Sequence, residues 1–140
     1  MSTVNVKWIE SKLMLGADSR GQTMLLSSSS ARDPEWKGAK PSDLLLLAAA
    51  SCSMYDVVEI LHKQREPLED LEVICSGTQL PDPPYTFTEI HLRYVATGNL
   101  KPEKLQRAIE LSQEKYCSVI TTLRAGVKIT SEFEVLAPSK

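Results

Sequence analysis

One stretch of the sequence, residues 41–67, constrains the fold more than any other. Residues 44–50 (LLLLAAA) are apolar on every side of a helix, so we expect this part of the helix to be surrounded by protein. Ser42 is a good N-cap, Asp43 complements the helix dipole, and Pro67 stops the helix. The second half has a polar stripe. The pattern predicts a helix of about twenty residues that is largely a core element.

Length, charge and cysteine content exclude several classes of protein. The longest unbroken apolar run is the seven residues 44–50, whereas a membrane-spanning helix needs about twenty. Residues 1–7 lack the apolar segment of a secretory signal. Sixteen Lys and Arg against eighteen Asp and Glu give a net charge of −2, which indicates no bias toward nucleic acid or membranes. Three cysteines are too few for a disulfide framework, so we predict a cytoplasmic protein with reduced thiols.

Alternating and helical periodicity predicts the remaining elements of one domain over residues 1–140. The first 30 residues alternate as two or three antiparallel strands, and a polar loop over 27–40 follows. Two further strands lie on either side of a turn at 81–84. A second helix begins at Pro102 and places five residues on one face: Leu105, Ala108, Ile109, Ser112 and Tyr116.

The C-terminal part completes an α+β chain of order βββ–α–ββ–α–β. Residues 117–124 are ambiguous, because β-branched residues follow a helix that has no clear stop. The last strand, over residues 127–135, alternates clearly. We therefore expect the apolar helix to pack against a curved antiparallel sheet.

Motifs for phosphate binding, serine hydrolysis, zinc proteolysis and dithiol exchange are missing from the sequence. The two histidines, His62 and His91, lie on the polar sides of different elements, so we interpret both as solvated surface residues. They give weak support for a metal site.

The cysteines are the remaining candidates for chemistry. Cys52 lies within the apolar helix and Cys75 on a strand, and free cysteine is often a small core residue. Cys117 follows Lys115 where the second helix ends or bends, and a cysteine at a helix end near a lysine can be a reactive thiolate. Cys52 and Cys117 can form a disulfide if their Cα atoms come within about 7 Å, which spacing does not decide.

Two segments resemble the signatures of the OsmC/Ohr family, the osmotically inducible and organic hydroperoxide resistance proteins. Residues 38–52 (GAKPSDLLLLAAASC) resemble the signature of its helix, and residues 108–119 (AIELSQEKYCSV) resemble its second signature. Each ends at or near a cysteine, and the order of elements matches too. The resemblance implies an OsmC-like fold in an intertwined homodimer, with its two active sites at the subunit interface.

The resemblance also implies a thiol peroxidase without metal, haem or other cofactor. Cys52 matches the peroxidatic cysteine, which attacks the peroxide and becomes a sulfenic acid. Cys117 matches the resolving cysteine, which forms a disulfide that a dithiol reductant of lipoyl or thioredoxin type reopens. Apolar surroundings suit an organic hydroperoxide better than hydrogen peroxide.

A buried thiolate needs a nearby cation, and the family uses an arginine held by a glutamate. Arg20, in the turn at residues 19–21, is the best match to that arginine, and Arg32 is the second candidate. Ser42 stands at the glutamate position, where the chain departs from the family pattern. Asp43, next to it, either completes the clamp with a shorter reach or only complements the helix dipole.

Two other interpretations stay open at this point. The same fold can serve as a non-catalytic ligand-binding or redox-sensing module, which the missing glutamate favours. It can also be a structural dimer whose cysteines only fill the core. Retention of both cysteines in their signature contexts favours the peroxidase.

Overall fold

The structure, a computed structural model, describes residues 1–28, 35 and 37–139. It divides into two compact units, Met1–Leu45 and Leu46–Lys140, which are considered separately. The single domain over residues 1–140 stays a prediction.

The first unit contains a three-stranded antiparallel sheet. Its strands are β1 (Asn5–Glu10), β2 (Leu13–Ala17) and β3 (Thr23–Ser27), in that order. The alternation at the start of the sequence therefore predicted these strands correctly. Every residue of β1 is exposed in the single chain. Large apolar side chains lie exposed in this unit: Val4, Val6, Trp8, Ile9, Leu15, Met24 and Leu25.

After β3, the predicted polar loop over 27–40 falls partly outside the described residues, which omit 29–34 and 36. Its end returns to the sheet, because Leu26 pairs with Ala39 in an isolated bridge. Gly38 passes so close to β3 that an added Cβ would lie 2.6 Å from the carbonyl oxygen of Leu25. Only glycine fits there without moving the backbone.

The predicted apolar helix is α1 (Pro41–Lys63), 23 residues long. It begins at Pro41, so Ser42 lies within the first turn and the prediction that Ser42 caps the helix is wrong. Proline is favoured at the first helical position, since its fixed φ suits the helix and its missing N–H leaves no donor unsatisfied. Its fully buried residues are spaced by four along one face: Ala49, Ser53, Val57 and Leu61.

By length and composition, α1 is the one helix in the described part of the chain that could cross a membrane. The seven-residue apolar run 44–50 alone did not predict that the whole helix is this long and apolar. Core helices of soluble proteins meet the same criteria, so the finding is weak evidence for a membrane. Only 22% of its apolar window is buried inside the single chain.

The second unit contains a mixed three-stranded sheet. An antiparallel hairpin of β4 (Leu68–Gln79) and β5 (Phe87–Gly98) pairs through β5 with β6 (Lys128–Leu136), which runs parallel to it. The α+β class and the order of strands are confirmed. The expectation of one antiparallel sheet is wrong, because the strands form two sheets and β6 returns by a helical crossover. Such a crossover brings the chain back to pair in parallel.

The crossover between β5 and β6 has three helical segments. They are α2 (Pro102–Leu111), a π-helical turn (Ser112–Tyr116, hereafter the π turn) and α3 (Ser118–Arg124). The ambiguous residues 117–124 are therefore mostly helical. In the π turn each hydrogen bond spans one more residue than in an α-helix, so the side chains that follow are rotated. As a result Tyr116, predicted to share one face of the helix with Leu105 and Ala108, is exposed, whereas those two residues are buried.

The core of the second unit lies between its helices and the inner face of β5. Alternate residues of β5 are fully buried: Ile90, Leu92, Tyr94 and Ala96. They join Val57 and Leu61 of α1 in one cluster with Leu105, Ala108 and Ile120 of the crossover. This core holds α1 and the crossover in fixed positions on the sheet.

Leu92→Ala is expected to lower the free energy of unfolding by about 2–5 kcal/mol, because it leaves a cavity at a fully buried position of β5. Leu80→Ala is the matched control, because Leu80 is 50% exposed beside the same hairpin and should change it by about 0.5 kcal/mol or less. Urea unfolding at one protein concentration measures both. Equal losses in the two variants would contradict this core.

Candidate active site

Cys52 lies in the middle of α1 and is half-buried against the core of the second unit. Its two serine neighbours differ. Ser51 is exposed and its hydroxyl donates to the carbonyl of Leu47 in the preceding turn, 2.7 Å away. Ser53 is fully buried and points to the crossover and β5. The helix therefore presents Cys52 at the edge of the core.

Cys117 is fully buried at the junction between the π turn and α3. Its backbone is extended, and its N–H donates to the carbonyl of Ser112, 2.7 Å away. This bond spans five residues and closes the π turn. The Cys117 sulfur accepts a hydrogen bond from the N–H of Ile120 at 3.4 Å. The π turn before Cys117 and α3 after it thus both hold this residue in place.

The thiols of Cys52 and Cys117 lie near each other, since Cys52 packs against the core cluster that contains Cys117 and influences its pKa. Burial raises the pKa of Cys117 to about 11; the N–H of Ile120 opposes this shift, while the nearby Cys52 thiol adds to it. Both cysteines are free thiols. The second unit therefore brings together two side chains that are 65 positions apart and that spacing alone did not place in contact.

Cys75 lies on β4, half-buried and packed against the same core. Burial raises the pKa of its thiol. This placement agrees with its interpretation as a core residue.

A chain of buried polar side chains lies beside the cysteines and was missed in the sequence. The Tyr94 hydroxyl is 2.5 Å from that of Ser53, which is 2.9 Å from that of Ser112. Ser112 donates to the carboxylate of Asp56 at 2.9 Å, and the Gln113 amide donates to Tyr94 at 3.1 Å. Burial raises the pKa of Tyr94, against the hydrogen bonds that it makes. Ser112 gave the one usable signal, a hydroxyl on the predicted apolar face of a helix.

The other predicted site residues belong to the first unit. Arg20 lies in the turn between β2 and β3, where its backbone N–H donates to the Asp18 carboxylate at 2.8 Å. Asp43 is exposed in the first turn of α1. No ion pair joins Arg20 to Asp43 in the described residues of this unit. Arg32 lies outside the described residues, and the roles of Arg20 and Asp43 stay predictions.

The histidines occupy different environments. His62 is exposed near the end of α1, as expected. His91 is half-buried on β5, where its ring bonds the Thr130 hydroxyl at 2.7 Å and lies 3.4 Å from the Glu132 carboxylate. The interpretation of His91 as merely solvated is therefore wrong, because its parallel neighbour β6 supplies polar partners. Across residues 1–28, 35 and 37–139, no three His, Cys, Asp or Glu side chains cluster as a metal would require.

Known proteins share both the sequence and the fold. Residues 33–132 match the family described as OsmC-like protein. Protein YhfA of Escherichia coli K12 is 39% identical over 133 residues, which cover 94% of this chain and 96% of YhfA.

Solved structures agree with this match. A hypothetical protein from Aquifex aeolicus is 30% identical and superposes with a TM-score of 0.82 over 96% of this chain and 97% of its own. The organic hydroperoxide resistance protein OhrB of Bacillus subtilis, at 18% identity, shares the fold with a TM-score of 0.66 over 96% and 98%. The chain belongs to the OsmC-like protein family.

Proposed function

We propose that this protein is a thiol-dependent peroxidase that reduces organic hydroperoxides in defence against oxidative stress. The proximity of the Cys52 and Cys117 thiols is the observation that carries the proposal. Its family membership supports the same conclusion, since OhrB is by name an organic hydroperoxide resistance protein. Cys52, half-buried at the edge of the core, is the peroxidatic cysteine, and the fully buried Cys117 is the resolving one.

The chemistry balances with the two cysteines and a dithiol. The Cys52 thiolate attacks the outer oxygen of the hydroperoxide; the O–O bond breaks, the alkoxide takes a proton and leaves as an alcohol, and Cys52 becomes a sulfenic acid. Cys117 then attacks the Cys52 sulfur. Its proton leaves with the displaced hydroxyl as water, and a disulfide remains. A dithiol of lipoyl or thioredoxin type reduces that disulfide and is itself oxidised.

Arg20 is proposed as the cation that favours the Cys52 thiolate, with Asp43 as the carboxylate that orients it. A thiolate near an arginine is stabilised by the opposite charge. Because Ser42 replaces the family's glutamate, the shorter Asp43 would have to serve, or Arg20 would act without an orienting partner. We place the reaction in the cytoplasm, where thiols stay reduced.

A redox-sensing or ligand-binding module is the second candidate. The observation that favours it is the missing ion pair between Arg20 and Asp43 within the described part of the first unit. Such a module would form the Cys52–Cys117 disulfide without turning over peroxide faster than a free thiol does.

A homodimer is part of the proposal, since OsmC/Ohr proteins are typically dimeric. In the single chain, β1 is exposed along its whole length and only 22% of the apolar window of α1 is buried. Large apolar side chains exposed together mark an interface. A second copy of the chain is the occupant that we expect.

Peroxide turnover depends on the cysteines in distinct ways. Cys52→Ser is expected to abolish consumption of cumene hydroperoxide in the presence of a dithiol, because the nucleophile is lost. Cys117→Ser is expected to leave Cys52 unresolved and overoxidised to the sulfinic acid. Peroxide consumption is followed with the dithiol present, and mass spectrometry after several equivalents of peroxide without dithiol detects the sulfinic acid. Cys75→Ser is the matched control and should keep wild-type turnover; a wild-type rate no better than that of free thiol would refute the peroxidase.

Disulfide closure should accelerate with pH. With a pKa of about 11, Cys117 is a thiol at neutral pH, and its thiolate fraction rises about tenfold per pH unit up to that value. Burial, the largest cause of the shift, does not depend on the oxidation of Cys52. Rapid acid quenching and alkylation give the closure rate between pH 7 and 10. A closure rate that stays flat over this range would contradict attack by a Cys117 thiolate.

Sedimentation equilibrium should give twice the 15.5 kDa mass of the chain, about 31 kDa. Trp8→Lys should shift the protein toward monomer, because Trp8 is 73% exposed in the single chain and the new charge would be buried by a partner. Lys7→Ala, on the opposite face of β1, is the control and should stay dimeric. A wild-type mass of one chain at micromolar concentration would exclude the dimer.

A further inference from the structure

The hydrogen bonds of the buried chain run in one direction. The chain comprises Asp56, Ser112, Ser53, Tyr94 and Gln113. An ionised carboxylate only accepts hydrogen bonds, so the Ser112 hydroxyl donates its one hydrogen to Asp56. The same hydroxyl must therefore accept a hydrogen bond from Ser53. Ser53 in turn accepts from Tyr94, whose oxygen accepts from the Gln113 amide. Each hydroxyl therefore donates once, toward Asp56.

The acidic end of this chain reaches the surface, and the other end is deep in the core. Asp56 is half-buried and lines a groove of about 370 Å³ between α1 and the π turn, together with Tyr55 and Tyr116. Ser53, Ser112 and Tyr94 are all fully buried. In surroundings of low dielectric a satisfied chain is rigid, because breaking any one bond leaves a polar group without a partner.

The hydrogen bonds of these buried side chains also connect the backbone segments that carry the two thiols. Ser53 is the neighbour of Cys52 on α1, and its hydroxyl bonds that of Ser112. The carbonyl of Ser112 accepts the N–H of Cys117 across the π turn. Two hydrogen bonds thus connect the backbone beside Cys52 to the backbone of Cys117. Disulfide formation tolerates only a narrow range of separations and dihedral angles, so this link bears directly on it.

We infer that Ser53 and Ser112, oriented by Tyr94 and Asp56, are positioning residues that hold Cys117 in line with the Cys52 sulfur for the resolving step. This inference rests on the proposed peroxidase function and deepens it. The hydrogen-bonded side chains touch neither the peroxide nor the reacting atoms. Their effect falls on the closure of the disulfide and leaves the first oxidation of Cys52 unchanged.

The test compares Ser53→Ala with Ser51→Ala, which removes the exposed hydroxyl on the other side of Cys52. One equivalent of cumene hydroperoxide is added, samples are quenched and alkylated, and mass spectrometry follows sulfenic acid and disulfide separately. In Ser53→Ala we expect an unchanged rate of Cys52 oxidation and disulfide formation slowed by about tenfold or more. At high peroxide we also expect more sulfinic acid on Cys52 than in the wild type. Ser51→Ala should match the wild type in both steps.

Two further variants, Tyr94→Phe and Ser112→Ala, keep the test decisive if Ser53→Ala does not fold. Tyr94→Phe should slow closure less than Ser112→Ala, because it leaves the bond between the two serines in place. Urea unfolding of each variant separates loss of stability from loss of closure. Normal closure in destabilised variants would overturn the inference, and so would equal slowing of both steps.

A second oxidant separates this inference from the proposed function. Diamide forms disulfides from neighbouring thiols without a peroxide. If the wild type does not react with cumene hydroperoxide but forms the disulfide rapidly with diamide, the peroxidase proposal fails. Slower disulfide formation by diamide in Ser53→Ala and Ser112→Ala would still support the positioning role. If diamide closes all variants at the wild-type rate, the positioning role fails.

Discussion

The hydrogen bond between the Ser53 and Ser112 hydroxyls is the interaction on which the candidate site depends. It is buried, and it joins α1 to the π turn at the level of the two cysteines. Apolar packing of α1 on β5 provides most of the free energy that holds these elements together, but packing alone tolerates small shifts and rotations. A buried polar contact does not, because its partners have no water to replace a lost bond.

The same burial sets the chemistry of the thiols. Cys117 is kept neutral by loss of solvation, even though α3 begins beside it and the N–H of Ile120 points at its sulfur. The helix terminus and the core therefore act in opposite directions on this thiol, and the core prevails. A resolving thiol that stays protonated is protected from direct oxidation, since the thiolate is the reactive form. In the proposed peroxidase, Cys52, which is more exposed on α1, is then the thiol that would meet the oxidant first.

Local patterns in the sequence predicted most elements but not how they meet. The alternation of β1 to β3 and the apolar residues of α1 are local signals, and the structure has these elements where they were expected. The parallel pairing of β5 with β6 depends on where the crossover ends, and alternation is the same for either direction. The π turn differs from an α-helix by one residue per hydrogen bond, which has no signature in composition, so the exposure of Tyr116 was not predicted. The proximity of Cys52 to Cys117 and the hydrogen bonds through Tyr94 arise only when distant segments pack.

The crossover also affects the order in which the protein is assembled. β5 and β6 are neighbours in the sheet, yet about thirty residues separate them along the chain, and Cys117 lies in that interval. The hairpin of β4 and β5 is local and can form early, whereas β6 pairs only after the whole crossover has been laid down. Cys117 is buried only once the crossover packs against α1 and β5, and before that it behaves as an ordinary exposed thiol. A newly made chain is therefore more open to thiol oxidation and mispairing than the finished protein, and the packing of the crossover against β5 ends this period.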